Sequence, residues 1–233
     1  MNHPVLLPSR RVFLNSLSLG AAFFTTRGLF AEELFRTPRQ TEGPFYPNKL
    51  PLDTDNDLLI VNNAITPAVG EVTHLTGKVT DMKGNPVRNA LVEIWQCDNN
   101  GVYLHTADSG QKQDKQDKNF QGFGRFNTAS SGEYYFRTIK PVPYPGRPAP
   151  HIHVKVKQGG RELLTTQFFV AGHPGNDRDG IARGGNPIDR ELLMVDFKPV
   201  KESKLGEFAA HFEIVLGRTP DENAPAPGRR GGR

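Results

Sequence analysis

The 233-residue chain predicts an all-β fold, a β-sandwich with long loops that carry the functional residues. Three observations predict it. Six short runs rich in β-branched and aromatic residues are separated by Gly, Pro, Asn and Ser clusters, the punctuation of strands and turns. Residues 32–69 contain Pro38, Pro44, Pro47, Pro51 and Pro67, which disfavour helix and make this segment an irregular arm. The length beyond an N-terminal leader suits one all-β domain with two packed layers. The plan is therefore a leader over 1–31, an arm over 32–69, the β-domain over 70–217 and a Pro/Gly/Arg-rich tail over 218–233, whose composition predicts disorder.

The elements follow in order. Val72–Thr80 and Ala90–Trp95 are strand-like and flank the turn Lys83-Gly84-Asn85-Pro86. Residues 98–131 are expected to form one long loop that contains Tyr103, and loops on rigid sheets often carry sites. Ser130-Ser131-Gly132 then opens the strand Gly132–Ile139. Three more runs follow, His151–Val156, Leu163–Val170 and Phe212–Leu216. Cys97 follows the apolar run Leu91–Trp95 and is the single cysteine, so it forms no intrachain disulfide and reads as a small buried hydrophobe.

His151-Ile152-His153 carries the chemistry. Residues two apart on a strand share a face, so both imidazoles can aim at one ion while Ile152 points the other way. Ile152, Val154 and Val156 make the core face; the histidines lie with Lys155 and Lys157 on a face expected to meet solvent or a cleft. Tyr103 and Tyr144 add two phenols. A phenol titrates near pH 10, so it ligates only an ion acidic enough to remove its proton. Zinc prefers Cys, His and carboxylate, whereas tyrosinate ligates ferric haem in catalase. The set therefore points to non-haem Fe(III), two of whose three charges two phenolates would offset. An H-x-H on a strand is also found in purely structural roles, and spacing alone leaves both readings open.

The surrounding motifs carry a resemblance. Gly43-Pro44-Phe45-Tyr46, Trp95-Gln96 with Gly101-Val102-Tyr103, the run Phe120–Thr128, the run Gly132–Pro145 and Arg147-Pro148-Ala149 before His151-Ile152-His153 occur in order over roughly residues 40–215. Together they resemble the intradiol ring-cleavage dioxygenases. Without a long helical N-terminal region, the chain looks more like protocatechuate 3,4-dioxygenase subunits than the larger catechol 1,2-dioxygenases. The resemblance implies Fe(III) held by Tyr103, Tyr144, His151 and His153. Tyr144 would be the axial tyrosinate that leaves on substrate binding, and Tyr103 the equatorial one that stays. His151 would be the axial histidine and His153 the equatorial one. Arg147 and Gln167 match residues near the substrate ring. Arg147 stands four residues before His151, one more than in the better-known members, because Pro150 intervenes. The implied reaction is cleavage of a catechol by O2 between its two hydroxyls, giving a cis,cis-muconate-type dicarboxylate. Likeness to those subunits also implies assembly, a homo-oligomer being one form of it.

His74, His173 and His211 lack a partner pattern and read as structural; His105, two residues after Tyr103, shares its face if that stretch is extended, but nothing else recruits it. Tyr46 can line the pocket or pack a turn, and of Tyr134 and Tyr135 one should be core and the other surface.

Ser9-Arg10-Arg11-Val12-Phe13-Leu14 resembles a twin-arginine export signal, with no acidic residue in 1–31. The apolar stretch Leu17 to Phe24 is too short to span a bilayer, and cleavage after Ala31 is expected. The expectation is export through the twin-arginine translocase to the periplasm or beyond, with no membrane span in the mature chain. The formal charge of +4 falls to +1 without 1–31, 26 basic against 25 acidic residues, so no nucleic-acid partner is indicated. The rival reading starts from Gly77–Asp81, Gly84–Val87 and Ala90–Glu93, which also resemble exported, non-catalytic prealbumin-like binding modules. That reading leaves the two tyrosines and two histidines unexplained.

Overall fold

The computed structural model describes residues 34–62 and 65–217. The leader and the tail expected at 1–31 and 218–233 lie outside them. Within them the chain is mostly strand: β1 (Val72–Asp81), β2 (Leu91–Trp95), β3 (Phe123–Asn127), β4 (Glu133–Ile139), β5 (His151–Gln158), β6 (Arg161–Val170), β7 (Met194–Val195), β8 (Phe197–Pro199), β9 (Phe208–His211) and β10 (Ile214–Leu216). Two short helices, Thr106–Ser109 and Pro187–Leu192, lie in connections. Residues 34–69 hold turns and bends but no helix or strand among those described.

The strands form two sheets. In the first, β4 pairs antiparallel with one edge of β1, while β9 and β10 share the other edge and run parallel to it. The second has the order β3-β2-β5-β6-β7. Its centre is the β5–β6 hairpin, turned by Gly159 and Gly160. Both glycines have positive φ, 53° and 74°, which a two-residue turn matched to strand twist requires and which side chains disfavour. Apolar residues of both sheets merge into one cluster, with Leu75, Val79 and Phe136 from the first, and Val92, Ile94, Ile152, Val154, Val156 and Phe168 from the second. Each such side chain contributes about 1.5–3 kcal/mol when fully buried.

A smaller aromatic cluster occupies the opposite face of the second sheet: Trp95, Cys97, Tyr103 and Phe123, against which Phe45, Tyr46 and Tyr144 pack. The second sheet is thus covered on both sides, and this corrects one expectation. His151, His153 and Lys155 do alternate away from Ile152, Val154 and Val156, but their face is buried, not open to solvent. The arm covers it: Gly43 lies over His153, Phe45 stacks on Tyr103, and Glu42 pairs with Lys155. A strand buried on both faces can still alternate polar and apolar when its polar side chains find partners.

Two boundaries also differ. The stretch 98–131 is not one loop, since it contains the helix Thr106–Ser109 and strand β3. Gly122 and Gly124 flank Phe123 and suggest a loop, yet Gly124 is required for packing: a Cβ there would lie 2.6 Å from Leu58 Cδ1 and 2.8 Å from the Asp55 carbonyl. Strands β7, β8 and β9 were not anticipated; two to four residues long, they carry too little alternation to read. Of the tyrosine pair, Tyr134 is buried and Tyr135 half-buried, as alternation requires.

The connection after β6 returns over the site. At Gly175, an added Cβ would overlap the Pro148 carbonyl. Its φ of −70° is ordinary, so close approach, not backbone strain, demands glycine. Gly175→Ala is expected to lever this connection off Pro148 and destabilise the protein by about 1–3 kcal/mol. Urea unfolding measures this, and unchanged stability would contradict it.

Candidate metal centre

Three elements deliver the four donors. Tyr103 lies beyond β2 in a loop organised by Asp98, whose carboxylate accepts from the backbone amides of Asn100, Val102 and Asp117 at 2.9, 2.9 and 2.7 Å. The Asp108 carboxylate accepts from the Tyr103 amide at 2.8 Å. Tyr103 is 1 % exposed, with Phe45 stacked on it at 5.0 Å. Tyr144 is only half-buried and begins the tight turn Tyr144-Pro145-Gly146-Arg147, closed by Arg147 N–H donating to the Tyr144 carbonyl at 2.9 Å. Gly146 at φ 89° after Pro145 is the sequence such a turn demands. His151 and His153 come from β5.

The rings converge. Tyr103 Oη lies 3.3 Å from His151 Nε2. Ring centroids are 5.3 Å apart for Tyr103 and Tyr144, 5.6 Å for Tyr144 and His151, 4.9 Å for His151 and His153, and 6.1 Å for Tyr103 and His153. Trp95, paired with His153 across β2 and β5, stacks on that imidazole at 4.8 Å and 7°.

Electrostatics keep all four donors neutral at pH 7. Burial pushes the Tyr103 phenol well above its ordinary value, with Cys97 and Tyr144 adding to the effect. Burial raises Tyr144 too, against the opposing hydrogen bond from Tyr103 and the Arg147 charge. Burial brings His151 down to about 4, helped by Arg147 and opposed by the Ala149 carbonyl. Burial, then His151 and Arg147, hold His153 well below the usual range. Neutral imidazoles are the ligand form. Two phenols held protonated in this way become anions only if a cation replaces their protons.

The residues fit a metal ion on this evidence. His151 Nδ1 is 2.7 Å from the Ala149 carbonyl, so it carries the proton and donates, leaving the Nε2 lone pair toward Tyr103. His153 Nδ1 is buried without a partner. A buried nitrogen left in this way costs stability unless something occupies the site.

Arg147 and Gln167 lie together beside this quartet. Arg147 Nη2 donates to Gln167 Oε1 at 2.9 Å, and Arg147 Nε to Asp179 Oδ2 at 2.8 Å. Gln167 faces His153 across the β5–β6 register and is fully buried, with its Nε2 unpartnered. Its amide is therefore only half satisfied. Tyr46 packs behind the quartet: its ring meets Trp95 edge-on at 5.0 Å and its hydroxyl donates to the buried Glu93 at 2.9 Å. Among the other histidines, His105 caps the helix Thr106–Ser109 and His74 pairs with the Tyr135 hydroxyl at 2.8 Å. Cys97 is buried, and burial raises its thiol to about 12, so it is inert.

A family profile described as Dioxygenase matches residues 41–218. Over 175 residues, the chain is 37 % identical to the protocatechuate 3,4-dioxygenase beta chain of Burkholderia cepacia, covering 71 % of this chain and 72 % of that one. The chain belongs to the intradiol dioxygenase family. As an intradiol dioxygenase it is an oxidoreductase. It is also 31 % identical over 204 residues to the catechol 1,2-dioxygenase of Candida albicans, covering 80 % of this chain but only 64 % of that longer one. Among solved structures, the dioxygenase domain of a dioxygenase carbohydrate-binding fusion from Streptomyces sp. SirexAA-E superposes with a TM-score of 0.59 at 27 % identity, covering 78 % of this chain and 99 % of that one. These relatives are dioxygenases, so they favour the enzyme over the rival binding module.

Sequence reasoning missed Asp179 and the stacking role of Trp95. Asp179 sits in the polar, Gly-rich run Gly175–Gly180, which reads as solvated loop, and only the fold reveals that its side chain is 1 % exposed. Trp95 carried a signal: two residues in register on paired strands share a face, but the pairing itself is not legible.

A pH dependence follows for the iron-free protein. His151 titrates near 4 when folded and near 6.5 when unfolded. Between those values the unfolded chain binds the extra proton, so stability is full above about pH 6.5 and falls as pH drops toward 4. The expected loss is about 3 kcal/mol from this residue. Urea unfolding at pH 7 and pH 4, for parent and His151→Gln, isolates it. Equal acid sensitivity in the two proteins would contradict the assignment.

Proposed function

We propose that the protein holds non-haem Fe(III) through Tyr103, Tyr144, His151 and His153 and cleaves a catechol-type substrate with O2 between its adjacent hydroxyls. The product is a cis,cis-muconate-type dicarboxylate containing both oxygen atoms. The observation that carries this reading is the convergence of two phenols, one buried and one half-buried, on two buried imidazoles, one of which has its Nδ1 engaged by a carbonyl and its Nε2 turned toward the Tyr103 hydroxyl. Bound there, Fe(III) supplies chelation of both substrate oxygens and makes the ring carbon open to attack by O2.

The chain's own residues do the rest. Tyr144 is half-buried on a turn, and Tyr103 is clamped by Phe45 and buried. That asymmetry supports Tyr144 as the ligand that yields to substrate and, as a phenolate, accepts one hydroxyl proton. Trp95 fixes the plane of His153, and the Ala149 carbonyl fixes the tautomer of His151. Arg147 and Gln167 supply fixed donors where negative charge develops on the ring oxygens.

The shared apolar cluster of the two sheets supports a prealbumin-like β-sandwich as the scaffold. Arg10-Arg11 ahead of Leu17–Phe24 supports export by the twin-arginine route, which carries folded, metal-loaded proteins. The test is turnover of catechol by the iron-loaded protein under ¹⁸O2. Two labelled atoms in one dicarboxylate are expected. Absence of oxygen uptake, or cleavage outside the two hydroxyls, would overturn the proposal.

A further inference from the structure

We propose that Asp179 is a positioning residue that sets the donor geometry of the site through two branches, one to Gln167 and one to His151. This rests on the reading above and adds a residue to it.

Asp179 lies at the end of the short 3-10 turn Asn176–Arg178, in the connection that Gly175 seats against Pro148. Its Oδ1 accepts from the amides of Ile181 and Ala182 at 2.9 and 3.1 Å, which fixes the carboxylate in its own loop. Its Oδ2 faces the site, accepting from Arg147 Nε at 2.8 Å and the Ala149 amide at 3.4 Å. All acceptor positions are thus used by fixed donors.

The first branch runs through Arg147. Held by Asp179 at Nε, the planar guanidinium can place Nη2 only on one side, where it donates to Gln167 Oε1. Because Oε1 is engaged, the Gln167 amide cannot flip, and Nε2 must face away from Arg147. That Nε2 is buried and unpartnered, beside His153 in the β5–β6 register. It is an oriented, unused donor in the space next to the metal ligands. A fixed donor without a resident partner suits an oxygen that gains charge only as reaction proceeds.

The second branch runs through Ala149. Its amide donates to Asp179 and its carbonyl accepts from His151 Nδ1. One carboxylate therefore tethers the peptide that selects the His151 tautomer. Asp179 also offsets the Arg147 charge, which would otherwise stand uncompensated beside a trivalent cation.

The test compares parent, Asp179→Asn, Arg147→Gln and the double variant, each as iron-loaded full chain. Asp179→Asn puts an N–H2 where two donors now meet one oxygen, so the carboxamide cannot satisfy both sides. Iron content is expected to match the parent, while the resting charge-transfer band is expected to shift, because the Ala149 peptide that selects the His151 tautomer loses its tether; an unshifted band would overturn the second branch. Turnover of catechol is expected to fall ~100-fold in kcat with KM changed less than about threefold, the size of effect that loss of fixed orientation produces. The double variant should be no slower than Arg147→Gln alone, since Asp179 acts on turnover mainly through Arg147. Additive losses, or parent-like kcat in Asp179→Asn, would overturn the proposal. Should Asp179→Asn fail to fold, Asp179→Glu decides: it keeps the charge but moves the carboxylate off Arg147 Nε, so a fall in kcat at unchanged iron content is expected, and parent-like turnover overturns the idea. A parent protein that neither binds iron nor cleaves catechol would instead defeat the functional reading on which this one rests.

Discussion

A His151→Ala protein is expected to fold, to purify without iron and to show no measurable ring cleavage. The fold survives because the opposite face of β5, Ile152, Val154 and Val156, stays in the main core. The substitution removes the donor to the Ala149 carbonyl and leaves that buried acceptor unpaired, at about 1–3 kcal/mol. Iron binding is lost because two phenols that burial holds protonated would then have one imidazole fewer to share the cation's hold. Metal analysis and oxygen uptake check this directly. One iron per chain with turnover within tenfold of the parent would contradict the ligand assignment.

The second large effect separates the two tyrosines. Tyr103→Phe keeps the ring that stacks on Phe45 and should cost no more than about 1–3 kcal/mol, for leaving the buried His151 Nε2 without the Tyr103 hydroxyl. Under the proposed ligation it removes an anionic donor from the centre, and activity should fall by more than ~100-fold, beyond the range of changes outside the ligand set. Tyr144→Phe removes a half-buried phenol on a turn. Here iron should be retained in the substrate complex while kcat falls ~100-fold or more, the loss of a proton acceptor. Iron titration in the presence and absence of catechol tells them apart. Equal iron retention by both variants with substrate bound would refute the division of roles.

Much of this was legible in the sequence, for identifiable reasons. Alternation put His151 and His153 on one face of β5, and the Gly/Pro punctuation marked most of the longer strands. Motif order brought in Tyr103, Tyr144, Arg147 and Gln167. What could not be read depends on long-range pairing. Whether the histidine face is open or buried depends on the arm returning to lay Gly43 and Phe45 over the second sheet. The direction of Arg147 depends on the turn at Pro145-Gly146 and on Asp179, 32 residues away. Its shifted spacing before His151 therefore does not keep it from meeting Gln167. Strand β3 was hidden because its glycine, needed for the approach of Leu58, looks like a loop residue in isolation.

The burial of the site also says what the arm does. Glu42, Gly43, Phe45 and Tyr46 contact, in turn, Lys155, His153, Tyr103 and the Trp95–Glu93 layer. A segment without helix or strand is thus held partly by backbone hydrogen bonds to Val215, Thr165 and Arg137 and partly by its packing on His153 and Tyr103.

The most direct test of the central claim is the visible spectrum of the iron-loaded protein before and after anaerobic addition of catechol. The account predicts a tyrosinate-to-Fe(III) charge-transfer band that moves to longer wavelength when catechol chelates the metal. A protein that stays colourless after iron loading, or whose band is unmoved by catechol, would contradict ferric iron held by Tyr103 and Tyr144.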